Sequence, residues 1–111
     1  MAAAVRTSLD GPLIESIDAA LSALGSSTRD SVLLYLHKRY SISLEETPQR
    51  MDEFLTALHA ILGYGARVIE KLVIARLVET NEIPLDEARG RNLAEIVYLS
   101  SKGRSKNKAT D

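Results

Sequence analysis

Apolar residues recur along this chain at intervals of three and four, the period of an α-helix with one buried face. Leu13, Ile14, Ile17, Leu21 and Leu24 make the first such stripe. Pro12 suits its first turn, where a missing N–H deprives no carbonyl of a donor, and Gly25 is a natural stop. Ser26, Ser27 and Thr28 supply hydroxyl caps for a second helix, with Asp30 placed to meet the positive end of its dipole. Val32, Leu33, Leu36 and Tyr40 form its apolar side, and Tyr35 lies on the flank. Ser41 to Thr47 reads as a connection pinned by Ile42 and Leu44. Thr47-Pro48 then predicts a capped third helix whose buried face carries Met51, Phe54, Leu55, Leu58, Ile61 and Leu62.

Gly63-Tyr64-Gly65 interrupts that pattern, and an apolar helical pattern resumes at once after it. Glycine enters the left-handed backbone region without a Cβ clash, so the triplet predicts a tight corner between helices three and four. The fourth helix presents Val68, Ile69, Leu72, Val73, Ile74, Ala75, Leu77 and Val78, which cover most of its circumference. A helix apolar nearly all round is central in its fold or shared with another chain. Asn81 ends it. Pro84 opens a fifth helix through Leu85, Ala88, Leu93, Ile96, Val97 and Leu99, whose first half Gly90 weakens by up to about 1 kcal/mol. With no alternating strand pattern and short connections, the chain predicts an all-α, compact bundle of about five helices.

Composition narrows this picture. The 111 residues fit one domain, and 45% hydrophobic with 26% charged residues is a globular balance. There is no cysteine, which removes disulfides and thiolate metal sites. No apolar run approaches the roughly 20 residues that span a bilayer, and Met1 to Arg6 is too weakly apolar for a secretory signal. A cytoplasmic location is the expectation. The net charge of −1 is unevenly spread: residues 1–100 carry 10 Lys/Arg against 14 Asp/Glu, while residues 101–111 carry Lys102, Arg104, Lys106 and Lys108 against Asp111. The expected organisation is a flexible N-terminus over residues 1–10, one helical domain over 11–100 and a flexible basic tail over 101–111.

Candidate chemistry is sparse. The doublets Glu45-Glu46, Asp52-Glu53 and Asp86-Glu87 each fall just before or within the first turn of a predicted helix, where carboxylates meet the dipole favourably. Sequence neighbours do not face one another on a helix, so capping explains them better than acid–base work. His37 and His59 stand on different predicted helices, outside any paired metal-ligand spacing. Gly63 to Arg67 opens a helix that invites a phosphate, yet it lacks the preceding strand and the G-x-x-x-x-G-K-[ST] pattern. Helix-turn-helix DNA binding would make the fourth helix the groove reader, but Arg67, Lys71 and Arg76 stand there among residues that favour burial. No catalytic residue, cofactor, metal or small-molecule substrate is expected.

One family shares this arrangement. Leu24-Gly25, Tyr35 with Leu36, Tyr40-Ser41-Ile42, Pro48, Phe54, Ala57-Leu58, and Ile61 to Ala66, followed by Glu70, Leu72 and Leu77, resemble a small archaeal group described as a Nitrosopumilus-type output domain. The likeness covers about residues 13–80, and Leu62 stands where that group tends to have phenylalanine. It implies a helical module of an archaeal signalling or regulatory system, without catalytic residues.

These readings converge on a non-enzymatic interaction or regulatory module that pairs with a protein partner or with itself as a homodimer. Tyr64 at the corner and the outward positions Ile74 and Val78 are the candidate contact residues. The alternative is a nucleic-acid-associated protein whose Lys102, Arg104, Lys106 and Lys108 neutralise phosphates without sequence preference.

Overall fold

Helical periodicity holds through the middle of the chain, and the computed structural model describes residues 9–99. The predicted tail, with Lys102, Arg104, Lys106 and Lys108, lies outside the described residues, as do residues 1–8. All regular elements among the described residues are helical: α1 (Asp10–Ser22), α2 (Ser26–Tyr40), α3 (Met51–Leu62), α4 (Gly65–Glu79), α5 (Leu85–Ala88) and α6 (residues 93–99). One 3-10 turn, Leu44–Glu46, links α2 to α3. The fold is an all-α bundle with its tight corner at Gly63-Tyr64, as the sequence pattern predicts.

α1 packs chiefly on α4, α3 packs on α4 beside it, and α2 leans on α1 and α3. Leu13, Ile17, Ala20 and Leu21 from α1 meet Phe54, Ala57 and Leu58 from α3 and Ala66, Ile69, Val73 and Leu77 from α4 in one core. Ile42 is buried and Leu44 half-buried, so both anchor the connection as expected. No buried side-chain polar atom among the described residues lacks a partner.

Four local expectations are corrected. α1 ends at Ser22, which leaves Leu24 in the following turn, exposed instead of in the stripe. α2 takes Gly25 as its N-cap, so Ser26, Ser27 and Thr28 lie within its first turn and none makes a capping bond. α3 begins at Met51, later than Pro48, because the chain first closes the 3-10 turn, with the Ser43 N–H donating to Glu46 Oε1 at 3.0 Å. Thr47 is fully buried there, its hydroxyl donating to the Leu44 carbonyl (2.8 Å) and capping nothing downstream.

The fourth correction concerns the predicted fifth helix, which is two pieces. Gly90 adopts φ +73°, and the chain restarts as α6 behind Asn92. Asn92 Oδ1 accepts from the Glu95 N–H (2.9 Å), and Glu95 Oε1 accepts from the Asn92 N–H (3.0 Å). This reciprocal capping box satisfies two otherwise orphaned donors. Asn92→Ala is expected to cost about 1 kcal/mol of stability. Urea unfolding of the two proteins checks it; equal midpoints would mean that the box is dispensable.

Candidate functional site

The burial phase of α4 defines the most distinctive surface. Ala66, Ile69, Val73 and Leu77 occupy its core face, and the fully buried alanine allows close approach by neighbouring helices. Ile74 and Val78 are half-buried and pack against this core, so they are not the outward positions that the sequence suggested. The outward apolar residues are Val68 (45% exposed) and Leu72 (38%). Tyr64, 80% exposed, stands one turn before Val68. Spacing of four places all three on one face. Arg67, Lys71 and Arg76 are exposed on the same helix. The Arg67 guanidinium carbon lies 5.9 Å from the centroid of the Tyr64 ring, within cation–π range.

A polar cleft of about 600 Å³ opens between the end of α3, α4 and the Gly90 break. At its edge His59 Nε2 donates to Glu70 Oε2 at 2.9 Å, joining the last turn of α3 to α4 across the corner. The Glu70 side chain is only 16% exposed. Imidazole and carboxylate form a general-base pair in many hydrolases, where they activate a hydroxyl, a thiol or water. No serine, threonine or cysteine lines this cleft, and the His59–Glu70 bond fastens α3 to α4 at the corner.

The other titratable groups do not converge. His37 is exposed in the last turn of α2, and all three acidic doublets are exposed at the starts of short or long helical turns. Among the described residues no group of three His, Asp or Glu side chains could hold a metal ion. Arg50 instead braces the segment before α3, donating to the Ser41 carbonyl (2.6 Å) and pairing with Glu46 and Glu53. The Ser43 N–H, with Arg50 nearby, holds the Glu46 carboxyl below its ordinary range. A second groove of about 460 Å³ runs between α2 and the end of α3, with Val32, Tyr35, Ile61 and Leu62 in its walls. Tyr35 meets Tyr40 edge-on at 6.5 Å, which holds that flank of α2 in place.

Sequence reasoning placed Tyr64 on the surface correctly but missed Val68, Leu72 and the His59–Glu70 bond. Ala66 carried the missing signal, because a small residue in line with Ile69, Val73 and Leu77 sets the phase of a helix that is otherwise apolar all round.

Fold and site together define an all-helical bundle bearing an exposed apolar stripe and a charged cleft on adjoining faces of the same helix, with Arg67 reaching both. No family model, curated protein or solved structure matches the chain. No helix among the described residues is long and apolar enough to cross a membrane.

Proposed function

We propose that this chain is a non-enzymatic helical interaction module whose α4 docks a protein partner, with a second copy of the chain as the first partner to test. The observation that carries this reading is the stripe Tyr64–Val68–Leu72, three large apolar side chains held outward on one rigid helix. Covering such surface is favourable by about 25 cal/mol per Å² of apolar area. A tyrosine bearing a cation on its ring is also a recurrent anchor at interfaces. The likeness of residues 13–80 to an archaeal output domain supports placing the module in a signalling or regulatory system.

Leu72→Glu tests the stripe, since a carboxylate there would have to be buried on docking. Sedimentation equilibrium of wild type should show mass rising with concentration, and the variant should remain a monomer at unchanged helicity. A wild type that stays monomeric at the highest attainable concentration would sink self-association.

The charge split along the sequence favours one second reading, nucleic-acid association through Lys102, Arg104, Lys106 and Lys108. Repeating the sedimentation with mixed nucleic acid at low and physiological salt separates the two. A mass gain that needs nucleic acid and vanishes as salt rises would favour the tail.

A further inference from the structure

The cleft beside α4 holds an imbalance of charge that the fold does not use. Its walls bring together Arg67, Lys71 and Arg91, from α4 and from the Gly90 break. Two carboxylates share the cleft, and both are already engaged: Glu70 by His59 at 2.9 Å and Glu95 by the Asn92 N–H at 3.0 Å. None of the three cations has a carboxylate within ion-pair distance among the described residues. Arg29 and Arg50, by contrast, are closely paired, Arg29 with Asp18 and Asp30, and Arg50 with Glu46 and Glu53. In residues 1–100 acidic groups outnumber basic ones, whereas around this cavity three cations face two carboxylates, a local reversal of that balance.

Geometry adds to the charge. Arg91 Nη1 donates to the Glu87 carbonyl (2.8 Å), which fixes the guanidinium and leaves its remaining donors available. Gly90 keeps the floor open, with no atom within 4 Å of where a Cβ would stand. The volume of about 600 Å³ is that of a small-ligand site. Guanidinium groups pair with phosphate through two parallel N–H bonds, and an ammonium adds a point charge. No Phe, Tyr or Trp ring lines the cleft, and the His59 imidazole is tied to Glu70, so the site offers no dedicated base-stacking platform.

We infer that this cleft binds a small polyphosphate, two or more linked phosphate groups read by Arg67, Lys71 and Arg91 independently of whatever carries them. Arg67 also touches Tyr64 of the docking stripe, whereas Lys71 and Arg91 belong to the cleft alone and do not depend on partner docking through α4.

Isothermal titration of the full chain with inorganic triphosphate, and separately with adenosine triphosphate, tests it. Saturable binding of both with similar affinity is expected, and Lys71→Gln should weaken each by about ten-fold. The combined variant Arg67→Gln, Lys71→Gln, Arg91→Gln should not bind. Amide shifts of the wild type on adding triphosphate should centre on Lys71, Gly90 and Arg91. Three results would overturn the assignment. They are no binding of either compound at about 1 mM, undiminished affinity in the combined variant, and shifts confined to residues 101–111.

Discussion

Phe54→Ala is expected to remove about 3–5 kcal/mol of folding stability, the largest loss from any single side chain here. Phe54 is the only phenylalanine of the chain and is fully buried in α3. Its neighbours along the same helix face, Met51, Leu55 and Leu58, are also buried, so the ring sits within the core and not at its rim. Truncation deletes its dispersion contacts and leaves a cavity that helices tied through the corner and the Arg50 brace can only partly close. Domains of this size have about 5–15 kcal/mol in total, so the variant would be marginal at 25 °C. Denaturant unfolding measures the loss directly, and a change below about 1 kcal/mol at unaltered slope would show that the ring is not central.

At the corner, Gly63→Ala is expected to destabilise by about 1–3 kcal/mol, whereas Gly65→Ala should be neutral or slightly stabilising. Gly63 caps α3 at φ +58°, ψ −127°, a conformation closed to side-chain-bearing L residues. No atom lies within 4 Å of a Cβ built there, so the penalty is backbone strain and not collision. Gly65 is the first residue of α4 with an ordinary φ, and a Cβ would meet Leu62 Cβ at 3.6 Å, normal van der Waals contact. Alanine then lowers the entropy of the unfolded chain without a native cost. Paired thermal melts distinguish the two; equal losses for both variants would refute this division of labour.

These contrasts show where sequence reading succeeds. The four long helices α1 to α4, the corner and the anchors Ile42 and Leu44 follow from apolar spacing and glycine position, because burial imposes a period that needs no knowledge of the partner helix. Asn81 likewise ends α4 as expected, in the left-handed region at φ +63°. Helix starts were less legible. The signatures S-x-x-E at Ser43–Glu46 and N-x-x-E at Asn92–Glu95 were present, yet prolines and hydroxyl clusters nearby offered competing starts. Ser41, a left-handed residue that is not glycine, gave no advance sign that α2 closes by returning the Ile42 N–H to the Leu36 carbonyl. The cleft was illegible for a different reason. Arg67, Lys71 and Arg91 meet only because the Gly90 break turns the chain back toward α4, and that path depends on tertiary packing.

The pairing of α1 with α4 has a consequence for how the chain is made. Synthesis delivers residues in order, at about 5–20 per second, and α2 and α3 must both emerge before the helix on which α1 chiefly rests. Until Leu77 has left the ribosome, Leu13, Ile17 and Leu21 have no more than α2 and α3 to shelter them. The bundle therefore closes only once α4 is available, and a chain interrupted at the corner lacks the helix on which α1 chiefly rests.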